Sequence, residues 1–270
     1  MSDQLLGKGL PNMGNTCYIA SIIQSLRYCK PFVYQNRNHD TANDSALMRS
    51  FVELLYASAT KSIYASLIHN LALKNPEFRL LRQCDAHELY LFLIDTFYTD
   101  NKAYDNLFRG TLSSCIECTS CSMQSITETP FVSLSLEMNT TIDSALDHFF
   151  SMETLDDKID CERCKSKQVS TKQLSISSCP NIMVVHLKRF NGMVKNNTEI
   201  EFQQEMTVSG KKYALFAVCN HSGSTSGGHY TAACKKRNGT WIICNDNFIT
   251  DLNKLPQQSA QPYVLFYQRI

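Results

Sequence analysis

Gly9-Leu10-Pro11-Asn12-Met13-Gly14-Asn15-Thr16-Cys17-Tyr18-Ile19 is a glycine- and asparagine-rich turn running straight into an apolar periodic segment. Ile19, Ile22, Ile23 and Leu26 recur at i, i+3, i+4 and i+7, the spacing of one helix face. The turn therefore delivers Cys17 to the first turn of a helix, with Asn15 or Thr16 expected to supply the N-cap oxygen. Unpaired backbone N–H groups and the helix dipole favour negative charge at that point, so the Cys17 thiol is expected to ionise more readily than a free cysteine. A cysteine so placed is either a nucleophile or a small buried apolar residue, and the local sequence is compatible with both.

The chain of 270 residues can bury a sizeable core, as one large domain or two lobes. Its 26 Lys and Arg residues balance 25 Asp and Glu, which argues against a global field for nucleic acid or membrane surfaces. No apolar run approaches the roughly 18 residues that span a bilayer. Met1-Ser2-Asp3-Gln4 lacks the basic and apolar regions of a secretion signal. The twelve cysteines therefore read as metal ligands, a nucleophile and core residues of an intracellular protein, in cytoplasm or nucleus, rather than as a disulfide scaffold.

The first hundred or so residues read as helices. Leu47, Phe51, Leu54 and Leu55 form a second stripe, and a third helix is expected from Ser62 to Leu73, ending before Asn75-Pro76. A fourth begins at Asp85, where Asp85 and Glu88 have capping-box spacing, and presents Leu89, Phe92, Leu93 and Phe97. Gln35 to Ser45 reads as a polar loop. From Gly110 the pattern changes to strands: Phe131–Leu136 alternates, Ile182–Leu187 is a denser run suited to a central strand, and Tyr213–Cys219, Tyr230–Cys234, Trp241–Cys244 and Tyr263–Tyr267 follow. Helices first and a mostly antiparallel sheet afterwards is an α+β order.

A nucleophilic cysteine needs a base, and seven histidines are available. His39 falls in the polar loop, His69 and His148 in helices, His87 on the Asp85 helix and His186 inside an apolar strand; His221 is the runner-up. His229 follows Gly227-Gly228, a pair that lets another backbone approach closely, and precedes the strand that starts at Tyr230. A hairpin through the Lys235–Gly239 turn would return residue 229 to within a residue or two of Asn245 and Asp246. An ordinary hairpin with polar ends is the competing reading. Elsewhere, Cys118-x-x-Cys121 and Cys161-x-x-Cys164 are paired clips of the kind that hold zinc through four thiolates, although Cys115-x-x-Cys118 is an equally good first clip by spacing.

The opening stretch resembles the cysteine box of the ubiquitin-specific proteases, Gly-Leu-x-Asn-x-Gly-Asn-Thr-Cys followed by Tyr or Phe, at every fixed position from Gly9 to Tyr18. Tyr213-x-Leu-x-Ala-Val-x-Asn-His, Gly227-Gly228-His229-Tyr230-Thr-Ala and Trp241-x-x-x-Asn245-Asp246 are similar to that family's histidine box. Pro180-Asn181-Ile182, His186-Leu187-Lys188-Arg189-Phe190 and Tyr263–Tyr267 fit it as well, and Gln83-Cys84-Asp85-Ala86-His87-Glu88-Leu89 matches Gln-Gln-Asp-Ala-His-Glu-Phe apart from Cys84 and Leu89. The matches run from Gly9 to Arg269.

The resemblance implies a papain-like fold: a helical thumb over residues 1–108, zinc-bearing fingers over 109–178 and a sheet palm over 179–270. It implies Cys17 as nucleophile, His229 as base and acid, Asn245 as the residue orienting the imidazole, and Asn12 as the oxyanion donor. Asp246 stands beside Asn245, able to share its role or hold a water. Asp85 and Glu88 would hold arginine near ubiquitin's C-terminal tail, and Gly227, Gly228 and Tyr230 would line its cleft. The clip position after Gly110-Thr111-Leu112 favours Cys118 and Cys121, with Cys161 and Cys164, around one structural Zn2+ per chain. The expected activity is hydrolysis after the C-terminal glycine of ubiquitin by a monomer. A protease for another ubiquitin-like modifier, a catalytically silent ubiquitin-binding adaptor and a zinc-finger nucleic-acid binder are the alternatives. The complete catalytic set argues against the adaptor, and the balanced charge against nucleic acid.

Overall fold

The computed structural model describes residues 8–38, 44–56, 61–192, 194–225 and 227–270. Met1–Gln4 and residues 39–43 of the expected polar loop, His39 among them, lie outside; the start of that loop is instead helical, Gln35 ending a helix and Asn36–Asn38 forming a 3-10 turn. The N-terminal lobe is built on α1 (Cys17–Arg27), in which every residue is buried, not only the expected stripe. Its second face stays inside with several of its polar side chains paired: Ser21 and Ser25 donate to Tyr18 O and Ser21 O, both at 2.9 Å, and Arg27 Nη1 reaches Lys8 O and Gln24 Oε1, both at 3.3 Å. A helix buried all round belongs at the centre of a lobe. Around it lie α2 (Lys30–Gln35), α3 (Ala46–Tyr56), α4 (Lys61–Lys74), α5 (Ala86–Asp100) and the short α6 (Asp105–Phe108). Asn75 closes α4 and accepts from Glu77 N, so the chain turns where Pro76 requires.

Two sheets follow. The smaller joins β1 (Gly110–Cys118) to β2 (Gln124–Phe131) and β3 (Ser170–Ser178), all antiparallel, with a two-residue edge at Glu153–Thr154. The expected strand Phe131–Leu136 is in fact two. Phe131 ends β2 opposite Gly110, and after a bend β4 (Leu134–Glu137) pairs parallel with β5 (Ile182–Lys188) in the larger sheet. β2 is exposed except at Phe131, so the alternation belongs to β4, whose Leu134 and Leu136 are buried. The larger, eight-stranded sheet runs β10 (Phe248–Leu252), β9 (Trp241–Asn245), β8 (Gly227–Lys235), β7 (Lys211–Ser224), β11 (Pro262–Arg269), β5 and β4, with β6 (Glu205–Val208) beside β7. One core, shared with the helices, takes Ile182, Val184, Cys219 and Phe266; another, on the opposite face with α7 (Ile142–Phe149), takes Met183, Val185, Leu215 and Leu265. Burial on both faces is why β5 and β11 read as continuous apolar runs.

His87 of α5 and His186 of β5 stack with ring centroids 3.8 Å apart and planes 10° apart, joining the helical lobe to the sheet. His87 Nε2 lies 2.8 Å from Ser133 Oγ and His186 Nδ1 lies 3.0 Å from Ser135 Oγ. Burial pushes His87 down to about 4, against the pull of Asp85, and pushes His186 down to about 3, helped by His87 and Lys188. Both imidazoles are therefore neutral when folded. Their contribution to stability is complete above the unfolded value of about 6.5 and is lost as pH falls from there towards the folded values. Melting temperature is expected to drop between pH 7 and pH 5. His186→Phe, which keeps a stacked ring but cannot titrate, should make that drop smaller; an unchanged drop would show that the stack does not carry it.

Candidate active site

The nucleophile turn is held by its own side chains in a way the sequence reading did not anticipate. Asn12 Oδ1 accepts from Gly14 N at 3.1 Å and Thr16 N at 3.2 Å, and Thr16 Oγ1 accepts from Met13 N at 2.9 Å. Neither Asn15 nor Thr16 caps α1, whose N-terminus has no side-chain cap. Asn15, at φ 55°, instead donates its amide to Leu81 O at 3.0 Å, while Leu81 N reaches Gly14 O at 3.1 Å. Gly9 is required for a different reason: a Cβ there would lie 2.3 Å from the Asn247 backbone. That close approach, with Leu10 N donating to Asp246 O at 2.9 Å, ties the start of the chain to the far end of β9.

The tie goes with different partners for two adjacent residues. His229 Nε2 lies 2.7 Å from Asn245 Oδ1, whereas Asp246 Oδ2 accepts from Asn12 Nδ2 at 3.2 Å. Extending the β8–β9 ladder beyond Ala232–Cys244 sets residue 229 opposite 247, two positions from Asn245. The side chains therefore meet diagonally, within the expected slack. Asp246 turns away at φ 50°, carrying its carboxylate to Asn12, and its Oδ1 is buried without a partner. An amide oxygen only accepts, so with Oδ1 towards the ring His229 holds its proton on Nε2 and leaves a lone pair on Nδ1. Asn12 Nδ2 carries two hydrogens, one spent on Asp246 and the second available to an oxyanion.

Cys17 is 4 % exposed, and burial pushes its thiol up, the reverse of the expected ionisation. Backbone hydrogen bonding at Tyr230, Tyr18 and Cys17 opposes the rise, and the charge of Asp246 adds to it. The helix N-terminus favours the thiolate, but desolvation of a thiol sunk at that helix start outweighs it.

Cys17 opens into a cleft also lined by Asp85, His221, Gly227, Gly228 and Tyr230. A Cβ on Gly228 would lie 2.1 Å from His221 Nε2, so that glycine is demanded by its neighbour inside the protein. Gly227 is the open position, with its nearest neighbour, Gln83 Oε1, at 3.8 Å. Gln83 Nε2 donates across the cleft to Gly228 O at 3.3 Å. His221, 3 % exposed and packed on Tyr230 with centroids 4.6 Å apart, is pushed down to about 4 by burial and by Lys195. Such a ring is poorly placed to exchange protons. At the cleft wall Asp85 Oδ1 caps α5, accepting from His87 N at 2.7 Å and Glu88 N at 3.0 Å. Its Oδ2 accepts from Tyr263 Oη, and Glu88 stays exposed. Gln83 and Tyr263 were missed as site residues because nothing local marks them: their partners lie 145 and 178 residues away in the chain.

The four clip cysteines converge. Cys118 Sγ lies 4.0 Å from Cys164 Sγ and Cys121 Sγ 3.5 Å from Cys161 Sγ, with all four sulfurs within 4.8 Å of one another. Tetrahedral zinc with Zn–S bonds of about 2.3 Å sets sulfurs about 3.8 Å apart, so the set fits a metal ion. Both clips close alike, Ser122 N donating to Cys118 O and Lys165 N to Cys161 O at 2.8 Å, with φ 54° at Ser122 and Lys165. The Cys164 N–H, 3.5 Å from Cys161 Sγ, leads the effects that pull that thiol down to about 6. Cys115 sits within β1 opposite Ile126 and outside the cluster. Among the described residues no helix is long and apolar enough to cross a membrane.

The family model described as ubiquitin carboxyl-terminal hydrolase matches residues 8–267. Ubiquitin carboxyl-terminal hydrolase 25 of Arabidopsis thaliana is 30 % identical over 313 residues, covering 97 % of this chain and 47 % of that protein. Hydrolase 23 of the same plant is 32 % identical over 305 residues, covering 98 % and 36 %. The chain thus spans under half the length of these two relatives. Among solved structures, Ubp8 in the SAGA DUB module with Sgf11, Sus1 and Sgf73, bound to monoubiquitin, superposes with a TM-score of 0.89 at 26 % identity, over 100 % of this chain and 70 % of that one. A second structure of the Ubp8 module, bound to ubiquitin aldehyde, also gives 0.89.

Proposed function

The chain belongs to the ubiquitin carboxyl-terminal hydrolase family, and on that premise we propose that it is a thiol-dependent deubiquitinase, hydrolysing the bond after ubiquitin's C-terminal glycine. The observation that carries the reading is the pair of contacts His229–Asn245 and Asn12–Asp246, with His229 carried between Gly228 and Tyr230, which line the cleft together with Cys17. Because the thiol rests protonated, His229 Nδ1 takes its proton as sulfur attacks the glycine carbonyl. Asn245 holds the resulting imidazolium in place without adding a charge. The tetrahedral oxyanion forms beside Asn12, whose second amide hydrogen is aimed by Asp246; one such donor contributes about 3 kcal/mol. Imidazolium then protonates the departing amine, leaving a thioester, and water activated by the same histidine releases ubiquitin. The experiment is covalent capture by ubiquitin bearing a C-terminal electrophile, run beside the same probe on other ubiquitin-like modifiers. Capture by another modifier alone would reassign the substrate, and binding without labelling would make the chain an adaptor.

The same reading takes residues 1–108 as thumb, 109–178 as fingers and 179–270 as palm, in an intracellular protein that acts as a monomer. It assigns zinc to the four cysteines, which would fill its coordination and leave no open position for chemistry. Metal analysis should find about one zinc per chain, since four thiolates make one closed site. Cys161→Ser should lower the melting temperature, and Cys115→Ser should not. A folded, active protein without metal would remove the assignment.

Asp85 and Glu88 are taken to hold arginine in the ubiquitin tail. Asp85→Asn keeps the Oδ1 cap and can present its amide to Tyr263 Oη, so the melting temperature should hardly move. The Michaelis constant for ubiquitin substrates should rise about tenfold or more, as for a charge pair losing one partner. Ubiquitin with its tail arginines replaced should be cleaved equally by both proteins. Parent-like cleavage of both ubiquitins by the variant would reduce Asp85 to a helix cap.

A further inference from the structure

The His186–Phe190 motif carries a buried arginine. Arg189 follows β5 and is 1 % exposed. Its Nε donates to Pro262 O at 2.6 Å, and its Nη1 donates to Asn196 O at 3.0 Å and Thr198 O at 2.9 Å. All three partners are main-chain carbonyls, and Nη2 is buried without one. The main chain closes on the same point: Asn196 N donates to Arg189 O at 2.6 Å, and Thr198 N to Asn196 Oδ1 at 2.8 Å. Further out, Lys195 Nζ crosses to His221 O at 2.9 Å. Phe190 rests edge-on against His221 at 5.2 Å and Tyr263 at 5.5 Å, and Phe190 and Gly192 line the cleft that holds Cys17.

A buried cation facing only carbonyls is a poor device for stability, because its desolvation is not offset by an opposite charge, and its orphaned Nη2 adds to the cost. Its geometry is what it provides. A rigid planar fork can hold three carbonyls at fixed mutual positions, which an ammonium on a flexible stem does not reproduce. The three it holds are the start of β11, one residue before the tyrosine bonded to Asp85, and two points on the segment that returns from the cleft wall.

We propose that Arg189 is the positioning residue of this cleft wall: it fixes Phe190 and residues 194–198 against His221 and Tyr263, and so sets affinity for the extended tail in the cleft. This rests on the deubiquitinase reading and adds a residue remote from the reacting atoms. The test uses Arg189→Lys, which keeps the charge and loses the fork, and Lys195→Met, which breaks only the outer contact.

Binding of ubiquitin is titrated in a Cys17→Ala background, turnover is measured with ubiquitin carrying a C-terminal fluorogenic amide, and hydrogen exchange is followed across 190–198. Arg189→Lys is expected to weaken ubiquitin binding about tenfold, with kcat within about threefold of the parent and faster exchange at Asn196 and Thr198. Lys195→Met should weaken binding about threefold, having lost one outer hydrogen bond. Unchanged affinity in folded Arg189→Lys, or a loss of kcat at unchanged affinity, would overturn the proposal. If Arg189→Lys does not fold, unchanged affinity in Lys195→Met does so. A parent protein that neither binds nor cleaves ubiquitin would defeat the deubiquitinase reading instead, while the exchange data would still report whether Arg189 anchors the segment.

Discussion

Cys17→Ala is expected to abolish hydrolysis of ubiquitin conjugates, to below the limit of steady-state assay, while ubiquitin binding survives. The substitution removes one sulfur atom from a side chain that is 4 % exposed at the first turn of a buried helix. The turn that presents it is held by Asn12, Thr16 and Asn15, none of which bonds to the thiol. The fold should therefore lose little, and the cleft should keep its shape. Covalent labelling by a ubiquitin electrophile should vanish with the same substitution, even though eleven other cysteines remain among the twelve. Cys29, Cys219 and Cys234 are fully buried away from the cleft lining, with burial raising the first two thiols to about 12, so these three are poor competitors for the label. Mass spectrometry of the labelled parent locates the adduct. Label on any other cysteine in Cys17→Ala, with turnover retained, would move the nucleophile.

The parts legible in the sequence were those whose signal is periodic or repeated in spacing. Ile19, Ile22, Ile23 and Leu26 announce α1, and the dense run at Ile182 announces a central strand covered on both faces. The two cysteine clips announce a cluster, and a resemblance in motif order selected Cys118 over Cys115 where spacing alone left both open. What was not legible depends on contacts far apart in the chain. The full burial of α1 needs Ser21, Ser25 and Arg27 to satisfy themselves, which no stripe reveals. The thiol of Cys17 rises because desolvation at that depth exceeds the pull of the helix N-terminus, a balance of magnitudes absent from composition. The glycine pair before His229 reads as room for a ligand, yet Gly228 is compelled by His221 within the protein. The division of partners between Asn245 and Asp246 rests on a left-handed residue and on Gly9, at opposite ends of the chain.

That division yields the second large effect. His229→Ala is expected to lower kcat by roughly 10²–10⁴, the span of a lost general base. His221→Ala should be mild by comparison, because the buried His221 ring is already held neutral and takes no proton from the thiol. The two residues at the end of β9 should then fail differently. Asn245→Ala leaves His229 in place but frees it to rotate and to adopt the other tautomer, since the 2.7 Å contact at Nε2 is its anchor. Turnover should fall, and part of it should return in Asn245→Asp, which restores an acceptor at the same position. Asp246→Ala does not touch the imidazole; it releases Asn12, whose amide it holds at 3.2 Å, and so weakens stabilisation of the oxyanion. Its mark should be lost affinity for a tetrahedral mimic such as ubiquitin aldehyde, at little cost in affinity for ubiquitin itself. It should also ease ionisation of Cys17, because the carboxylate contributes to raising that thiol. With the raising charge gone, the alkaline shift in the thiol is reduced, so the rate of reaction with a small alkylating reagent should climb at lower pH than in the parent. Asn245→Ala should leave that profile unmoved by comparison. If Asp246→Ala instead disturbs the histidine resonances while Asn245→Ala does not, the roles are reversed and Asp246 is the residue that orients His229.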